Sequence, residues 1–220
     1  MTQQAKRVTL FDAWAAQYNL DVATSGDDFP FAGYDEVLAT AVRTAKVRPS
    51  LRVLELGIGT GNLAERFIAA GCQVWGLDFS AAMLAQARVR LPQVHLVQAD
   101  LLAAWPLAAR PLFDRIIAAY VLHEFDLADK IQLLQRAARD YLAPDGFLVV
   151  ADIAFPTTAV RAAAAERWAR WWDEEEFYWA ADEAIVAGTE VGLSLAYQQV
   201  SPCAGVFTVW EGNGRSSHQG

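Results

Sequence analysis

The run Glu55-Leu-Gly-Ile-Gly-Thr-Gly61 places three glycines at alternate positions shortly after an acidic residue. Glycine lets a backbone turn sharply and approach a ligand closely, because it carries no Cβ. Where such a turn leads into a helix, free N–H groups and the helix dipole favour polar or anionic ligand groups. Asp78 follows about 20 residues later, at the spacing from which doubly wound nucleotide-binding folds bind a ribose hydroxyl. Together these residues predict a nucleotide-like cofactor site.

A second candidate for chemistry is His123, in the run Tyr120-Val-Leu-His-Glu-Phe125. Histidine titrates near neutral pH and can accept a proton as a general base. The run follows a predicted strand, at the edge where open α/β sheets bind ligands. Two interpretations stay open: His123 is a base that faces the substrate, or His123 and Glu124 only brace the loop. Tyr120 has the same two interpretations, because it either lines the substrate channel or supports the loop.

His123, Glu124 and Asp126 are also residue types that bind metals, and they lie on one short loop. Such crowding leaves little room for three side chains to converge on a single ion. We therefore expect no metal.

Short apolar runs alternate with longer helical patterns through the middle of the chain, which predicts βαβ units and a parallel sheet. Ser80 has the position of an N-cap for a helix that extends to Arg90. Helices are also predicted at Asn62–Ala70 and Leu127–Leu142, and a turn is predicted at 144–146. The predicted strands are Arg52–Leu56, Gln73–Leu77, Val94–Gln98, Phe113–Ala119 and Phe147–Asp152, with a C-terminal antiparallel hairpin formed by Leu195–Val200 and Val206–Trp210.

Helical patterns flank this core on both sides in the sequence. Lys6–Asn19 and Tyr34–Lys46 precede the first strand, and Thr158–Gly188 lies between the fifth strand and the hairpin. No internal repeat or low-complexity linker indicates a second domain. We expect one domain over residues 1–212, followed by a flexible tail at 213–220. Its expected parts are N-terminal lid helices (1–48), a cofactor-binding core (51–153), a helical cap (157–190) and the hairpin (194–211).

The glycine spacing distinguishes two kinds of nucleotide site. A dinucleotide fingerprint has its third glycine where this chain has Asn62, whereas here the third glycine is Gly61. With Glu55 before the turn, the motif resembles the first motif of class I methyltransferases that use S-adenosylmethionine (AdoMet). Further features of that family recur in order between Arg52 and Asp152, namely Asp78, Asp100-Leu101, Phe113-Asp114 and Leu142-Ala-Pro-Asp-Gly146.

The resemblance implies a Rossmann-like α/β fold with a seven-stranded, mostly parallel sheet, an antiparallel C-terminal hairpin and a helical cap. It also implies AdoMet as cofactor and S-adenosylhomocysteine (AdoHcy) as product. In this family Asp78 would bind both ribose hydroxyls and Phe79 would flank the adenine. Asp100 and Leu101 would give the adenine a hydrogen bond and an apolar wall. The remaining implied cofactor contacts are Glu55, Leu56, Gly57, Gly59, Gly61, Ala99 and Ala119, of which Glu55 and the glycines would face the methionine part. Without the resemblance, Asp78 has the alternative role of an acid stabilised by a helix dipole.

The run Phe11-Asp-Ala-Trp-Ala-Ala-Gln-Tyr18 is similar to the lid helix of many small-molecule methyltransferases. The closest likeness is to the YrrT-like bacterial branch, with Gly33-Tyr34-Asp35 and Glu176-Phe-Tyr178 as further similarities. Phe11, Trp14 and Tyr18 share one helical face. A covering lid would place Tyr18 near the methionine or the sulfonium, as a cofactor contact or a catalytic residue. Core packing of the same face is the alternative.

Within the expected helical cap, Trp168, Trp172 and Trp179 have helical spacing and would share a face. Beside the acids at 173–176, they would shape a pocket for an amine or a thioether-like acceptor through cation–π contacts. Tyr178 and Trp179 are the candidate substrate contacts. The alternative is an aromatic core stripe beside a solvated acidic face.

The charge of the chain narrows the classes of partner. A formal net charge of −8 without a contiguous basic block argues against a nucleic-acid partner, because such affinity depends on Lys and Arg neutralising phosphates. The polar start lacks the apolar segment of a signal peptide, and no apolar run is long enough to span a bilayer. We therefore expect a cytoplasmic protein without membrane contact, as a monomer or a homodimer.

The expected activity is methyl transfer to a small-molecule acceptor by in-line displacement, for which the protein mainly positions reactants and excludes water. Residues 118–121 lack the Asn/Asp-Pro-Pro-aromatic signature of base-methylating enzymes and the acid of magnesium-dependent catechol-type enzymes. Three alternatives stay open. One is a different transferase or an oxidoreductase on a similar fold, although Glu55 and the glycine spacing disfavour a nicotinamide-dependent enzyme. Another is an AdoMet-type transferase such as an aminopropyltransferase, and the third is a non-catalytic AdoMet or nucleotide binder.

Overall fold

The computed structural model describes residues 12–13, 28–107 and 112–212. Its strands are β1 Arg52–Leu56, β2 Gln73–Asp78, β3 His95–Gln98, β4 Phe113–Ala119, β5 Leu142–Phe155, β6 Trp179–Ala180, β7 Leu193–Gln199 and β8 Ala204–Glu211. Seven of them follow the order β3-β2-β1-β4-β5-β8-β7, with β1 to β5 parallel and β8 antiparallel to both of its neighbours. This confirms the expected Rossmann-like sheet and its C-terminal hairpin. The two-residue β6, which was not predicted, pairs with the end of β5.

The helices that the structure delimits are α1 Tyr34–Thr44, α2 Asn62–Ala69, α3 Ala81–Arg90, α4 Leu127–Tyr141, α5 Thr158–Arg167 and α6 Ala181–Glu190. Ser80 is the N-cap of α3, as predicted, and its Oγ accepts the Met83 N–H at 3.1 Å. The predicted lid helix over Lys6–Asn19 lies outside the described residues apart from Asp12 and Ala13. Within the described ranges, no helix is both long and apolar enough to cross a membrane.

Apolar layers cover both faces of the sheet, as a parallel sheet requires. Neighbouring residues of β1 point to opposite layers. Val53 packs with side chains of α1, α2 and α3, whereas Leu54 packs with side chains of α4 and α6. Both are fully buried. Because β1 and β4 lie in the middle of this three-layer arrangement, the loops that leave their carboxyl ends start from fixed positions.

The segment between β5 and β7 differs from the continuous helical pattern predicted at 158–188. Residues 168–178 form turns and irregular structure between α5 and α6, and we call them the cap loop. The predicted shared helical face of three tryptophans is therefore wrong. Trp168 and Trp172 lie in the cap loop, whereas Trp179 lies in β6.

β5 is longer than predicted at both ends. It includes residues 144–146, and its pairing with β4 shifts register between Phe113 and Arg115. The predicted turn at these residues is thus an irregularity within the strand. At the other end β5 continues past Asp152, because Ile153, Ala154 and Phe155 are buried and the last two pair with β6.

Candidate active site

Two loops meet where the strand order reverses, at the carboxyl ends of β1 and β4. Loops that leave such neighbouring strands diverge and leave a crevice, which is where open α/β sheets bind ligands. Gly57, after β1, lies against Val121, after β4, and a Cβ at position 57 would overlap the Val121 side chain. Glycine is therefore required at this position for the two loops to approach so closely.

The glycine loop, residues 57–61, joins β1 to α2. The φ angle is +66° at Gly57, +54° at Gly59 and +90° at Gly61, a region that residues with side chains rarely adopt. A Cβ at Gly59 would meet no atom within 4 Å. Since Gly59 also lines the cavity described below, the loop presents bare backbone to that cavity.

Asp78, the last residue of β2, holds the glycine loop. Its Oδ2 accepts the Gly59 N–H at 2.8 Å, and its Oδ1 accepts the Ser80 N–H at 2.9 Å. Burial raises the pKa of this carboxyl, while the backbone donors act in the opposite direction. Carboxylate oxygens have more than one lone pair each, and Asp78 lies on the cavity wall. It can therefore accept additional hydrogen bonds from ligand hydroxyls.

Glu55, on β1 just before the glycine loop, carries an unsatisfied oxygen. The residue is 3% exposed, and its Oε2 has no hydrogen-bond partner among the described residues. Burial, followed by repulsion from Asp78, raises the pKa of Glu55 well above its usual value. A buried polar atom without a partner costs about 1–3 kcal/mol. Glu55 is therefore suited to a ligand that brings a hydrogen-bond donor.

The crevice contains a cavity of about 640 Å³, within the range of about 300–1,000 Å³ for small-molecule sites. Its described wall includes ten residues named from the sequence: Glu55, Gly57, Gly59, Asp78, Phe79, Asp100, Leu101, Ala119, Tyr120 and His123. Five other named residues do not line it: Leu56, Gly61, Ala99, Tyr178 and Trp179. Tyr18 lies outside the described residues.

Three of the residues expected at the cofactor lie behind the described wall, where they support the fold. Leu56 is fully buried in the core. The Gly61 N–H bonds the Ile58 carbonyl at 2.9 Å, and a Cβ at position 61 would strike Leu91. The Ala99 N–H bonds the carbonyl of Asp78 at 2.9 Å, which fixes the end of β3 beside β2.

The wall above β2 and β3 combines an aromatic ring, a carboxylate and an apolar side chain. The Gln98 side-chain amide donates to the Phe79 carbonyl at 3.0 Å. Asp100 Oδ1 accepts the Leu102 N–H at 2.9 Å, and Leu101 is buried in the core. This combination suits a flat heteroaromatic group with polar edges.

His123, in the turn that follows β4, and Asp152, which follows the last β5 residue paired with β4, form a buried pair that we call the dyad. His123 Nδ1 lies 2.6 Å from Asp152 Oδ1. The N–H groups of Leu122 and His123 both donate to Asp152 Oδ2 at 3.0 Å, and Trp179 Nε1 donates to the same oxygen at 3.2 Å. Asp152 thereby anchors a 3₁₀ turn, Leu122–Glu124, and orients the imidazole. With Nδ1 occupied, Nε2 is the ring nitrogen available for chemistry.

The charges around the dyad favour an imidazolium paired with a carboxylate. Burial opposes the charged form of His123. Asp152, Glu176 and Glu124 together outweigh this effect, and Asp152 contributes most among them, so the pKa of the ring rises to about 9. Burial also opposes charge on Asp152, but His123 and Lys130 together lower its pKa. Near neutral pH the resting His123 therefore carries a proton, which must leave before Nε2 can act as a base.

Tyr120 turns the chain out of β4 with a φ of +50°. Its N–H still bonds the Ala151 carbonyl of β5 at 2.9 Å. Its ring centre lies 5.0 Å from that of Tyr34 and 5.7 Å from that of Phe31, so the three rings form an aromatic wall. The hydroxyl is buried without a hydrogen-bond partner among the described residues, and burial raises its pKa well above the usual value. Backbone strain of this kind clusters at functional sites.

The cap loop is tied to the dyad at Phe177. The Phe177 N–H donates to the His123 carbonyl at 2.7 Å, and the Lys130 ammonium donates to the Phe177 carbonyl. Lys130 is 2% exposed, lies 4.3 Å from the centre of the Trp179 ring, and has its pKa lowered to about 8 by burial. These contacts bring Glu176 Oε1 to 3.8 Å from His123 Nε2.

Two tryptophans of the cap loop fix another part of the wall. The Phe29 ring stacks on Trp168 and on Trp172, with centres 5.2 and 5.7 Å apart. The next residues, Pro30 and Phe31, line the cavity. Trp168 and Trp172 thus pack in a core cluster that holds this segment, in agreement with the core alternative for these rings.

Tyr178 and Trp179 lie behind the wall and do not face a substrate directly. Tyr178 is 3% exposed, and burial together with a hydrogen bond to Glu176 raises its pKa. Trp179 is 1% exposed and donates to Asp152. Neither side chain lines the described cavity, and both hydrogen-bond to acids next to His123, Tyr178 to Glu176 and Trp179 to Asp152.

Asp152, Glu176 and Lys130 were not among the candidates from the sequence. A signal existed for Asp152, because an acid at the end of an apolar strand lies beside the end of any adjacent parallel strand, here the one before His123. Glu176 appeared in the sequence analysis as a member of the acidic run and of the Glu176-Phe-Tyr178 similarity, but not as a neighbour of His123. Lys130 gave no signal, because a lysine in an amphipathic helix is usually exposed.

Glu176, rather than Asp126, completes a cluster with His123 and Glu124. One nitrogen or oxygen atom from each of these three side chains lies within 4.8 Å of the other two. Asp126 is instead the N-cap of α4 and accepts the Asp129 N–H at 2.9 Å. The three clustered groups can therefore face one positively charged group together.

The sequence is similar to a known protein family and to proteins of other organisms. A family described as a methyltransferase domain matches residues 53–146. An uncharacterised methyltransferase of Geobacillus kaustophilus (strain HTA426) is 32% identical over 199 residues, which cover 86% of this chain and 90% of the relative.

Two solved structures share the fold at low sequence identity. Magnesium protoporphyrin IX methyltransferase (ChlM) from Synechocystis PCC 6803, with bound AdoHcy, is 18% identical, with a TM-score of 0.70 over 94% of this chain and 99% of that chain. A complex of DhpI with AdoMet and HEP is 20% identical, with a TM-score of 0.70 over 95% of this chain and 99% of that chain.

Proposed function

The chain belongs to the class I AdoMet-dependent methyltransferases, and on that premise we propose that it methylates a small-molecule acceptor whose proton is taken up by His123. The observation that carries the proposal is the dyad. His123 Nδ1 is bound to Asp152, while the same imidazole lines the cavity that also borders the glycine loop. A proton acceptor thus lies on the wall of the same cavity that the glycine loop borders, which is where we propose that the cofactor binds.

The residues of the cavity fit AdoMet. Gly59 leaves bare backbone open to a ligand, and Asp78 offers carboxylate oxygens to ribose hydroxyls. The unpartnered oxygen of Glu55 suits the ammonium group of an amino acid. When bound, AdoMet supplies a methyl group that its sulfonium activates for displacement. The remaining residues proposed to hold it are Phe79, Asp100 and Leu101.

Two features support an acceptor of small size. The cap loop borders the cavity beside the dyad through Glu176 and Phe177, and the Phe177 N–H bonds the His123 carbonyl, so this loop limits the space next to the dyad. Within the described wall there is no Lys or Arg, which are the residues that bind the phosphates of nucleic acids.

The dyad supplies the proton chemistry. Neutral Nε2 of His123 accepts the proton that the acceptor loses as its nucleophilic atom forms the new bond to carbon. Asp152 holds the tautomer with Nδ1–H and stabilises the imidazolium that results. Water that the bound reactants displace from this cavity would strengthen these electrostatic interactions.

Cofactor binding is tested by calorimetric titration of the whole protein with AdoMet, AdoHcy and NAD. Micromolar binding of AdoMet and AdoHcy without NAD binding is expected. Binding of NAD alone would contradict the proposal, because it would indicate an oxidoreductase.

Acceptor size is tested with AdoMet labelled with tritium in the methyl group and a bacterial lysate. The lysate is separated into a low-mass filtrate, protein and nucleic acid. Label is expected in the filtrate, and label in either polymer fraction would contradict a small acceptor. Mass spectrometry of the product distinguishes an added methyl from an added aminopropyl group. AdoMet binding without any transfer would favour a non-catalytic binder.

A further inference from the structure

The acceptor half of the cavity, above β4 and β5, is acidic. Of the lining residues that the structure describes, seven are acids and His123 is the only basic one. Four of the acids lie apart from the Glu55 and Asp78 region: Glu124, Asp126, Asp129 and Glu176. Low-dielectric walls strengthen the potential of such a cleft. An anionic acceptor would therefore be repelled, and an organic cation would be attracted.

Glu124 and Glu176 both lie close to the reactive imidazole, with Glu176 Oε1 3.8 Å from Nε2. Both contribute to the raised pKa of His123, and the clustered atoms of the three side chains lie within 4.8 Å of one another. Glu176 is held there by Tyr178 and by the anchored Phe177 next to it. A cation bound between the carboxylates therefore lies next to His123 Nε2.

The aromatic wall provides a second, independent observation. Tyr120 lines this half of the cavity in a strained conformation, and its buried hydroxyl has no partner among the described residues. Phe31 and Tyr34 pack on its ring. Aromatic faces attract organic cations and also accommodate the carbon skeleton of the same molecule.

We propose that the acceptor is a primary or secondary amine, bound as its ammonium between Glu124 and Glu176 beside the rings of Phe31, Tyr34 and Tyr120, and methylated on nitrogen. This inference rests on the proposed function and names its acceptor class. It accounts for the acids and the aromatic rings that methyl transfer alone does not require.

The step balances with the groups present. The ammonium gives one proton to neutral Nε2 of His123, which frees a lone pair on the amine nitrogen. That lone pair forms the N–C bond as the C–S bond of AdoMet breaks, and the electron pair of the broken bond stays on sulfur in AdoHcy. The products are the methylated ammonium, AdoHcy and an imidazolium that then releases its proton to solvent.

Binding of the cation is expected to lower the pKa of His123 and so to favour the neutral imidazole that this step needs. Glu124 and Glu176 help to hold the imidazolium proton. A cation that neutralises these carboxylates removes part of that stabilisation, so the pKa of His123 falls. Binding of an amine at pH 8 is therefore expected to release protons.

The test uses the whole protein saturated with AdoHcy, so that binding is measured without turnover. Calorimetric titrations compare 2-phenylethylamine, benzylamine and cyclohexylamine with the alcohols of the same skeletons and with 3-phenylpropionate. At least one amine is expected to bind about tenfold more tightly than its alcohol and than the acid. Titrations in two buffers of different ionisation enthalpy measure the proton release.

Two variants test whether the carboxylates cause the tighter binding of amines. Glu176→Gln is expected to weaken amine binding about tenfold and to leave the affinities for AdoHcy and for the alcohols unchanged. Glu175→Gln is the matched control, because Glu175 is an exposed acid of the same cap loop outside the cavity wall. It is expected to change none of the affinities.

The outcomes separate this inference from the proposed function. If AdoHcy does not bind, the proposed function fails, and the inference fails with it. If AdoHcy binds but no amine exceeds its alcohol or the acid, the inference is overturned while the function stands. The inference is also overturned if EDTA abolishes amine binding and Zn²⁺ or Mg²⁺ restores it, since a metal would then occupy the carboxylates.

Discussion

His123 Nδ1 lies 2.6 Å from Asp152 Oδ1, in a pair that joins the turn after β4 to the neighbouring parallel strand β5. The carboxylate has four further contacts, with the N–H groups of Leu122, His123 and Ile153 and with the Trp179 indole. Asp152 therefore fixes the position of the imidazole, its tautomer and its charge at once.

Asp152→Asn is expected to lower kcat by about 10²–10⁴, because the amide does not stabilise an imidazolium and permits the wrong tautomer. Asp152 is fully buried and does not line the cavity, so the AdoHcy dissociation constant should stay within about twofold. The measurements are kcat with an acceptor that supports turnover and calorimetric AdoHcy binding, which also checks folding. An unchanged kcat in a variant that binds AdoHcy normally would show that the dyad takes no part in proton transfer.

The pH profile of kcat/KM should rise about tenfold per pH unit and level off near pH 9. The reason is that the base must be neutral, and the pKa of His123 is about 9. Asp152, Glu176 and Glu124 all face this ring, with Asp152 making the largest favourable contribution. Asp152→Asn should therefore move the break to lower pH. A break that stays in place in this variant would belong to the acceptor rather than to His123.

The same pKa makes the stability of the fold depend on pH. A histidine whose pKa rises from 6.5 to about 9 on folding stabilises the protein fully below pH 6.5 and loses this contribution as pH rises through 9. The loss is on the order of 3 kcal/mol. Lys130, whose pKa falls from 10.5 to about 8, acts in the opposite sense: its burial is unfavourable at low pH, and this penalty is relieved between pH 8 and 10.5.

Urea unfolding at several pH values separates these two groups. The free energy of unfolding of the wild type should fall from pH 6.5 to 8 and then level off or recover. Lys130→Met removes the opposing contribution, so its stability should continue to fall up to about pH 9. Parallel curves for the two proteins would show that Lys130 is charged to the same extent in the folded and unfolded states.

The central strands could be predicted from the sequence, whereas the composition of the site could be predicted only in part. β1 and β4 begin and end at the predicted residues, and the apolar run of β1 is ended by Gly57. His123 was identified from its place after β4. Asp152 became its partner only through the pairing of β4 with β5 and the 3₁₀ turn, neither of which leaves a local pattern in the sequence.

The cap loop was the least predictable part for a related reason. The spacing of Trp168, Trp172 and Trp179 is helical, but their packing partners lie far away in the chain. Two of them stack on Phe29, and the third donates to Asp152. Tertiary contacts of this kind override a short periodic pattern. The burial of Lys130 has the same origin, since its ammonium is bound by a carbonyl of the cap loop.

Gly59→Ala tests whether the backbone of the glycine loop contacts the cofactor. Gly192→Ala is the matched control for the effect of backbone strain. Gly59 and Gly192 have φ angles of +54° and +80°, and a Cβ at either position would meet no atom within 4 Å. Alanine should therefore destabilise the fold similarly at both, by about 1–2 kcal/mol. Gly59 lines the cavity, whereas Gly192 lies between α6 and β7 away from it. Only Gly59→Ala should weaken AdoMet binding, by about tenfold or more, as measured by calorimetry beside urea unfolding of both variants. Equal AdoMet affinities in the two variants would mean that the cofactor does not approach the backbone at Gly59.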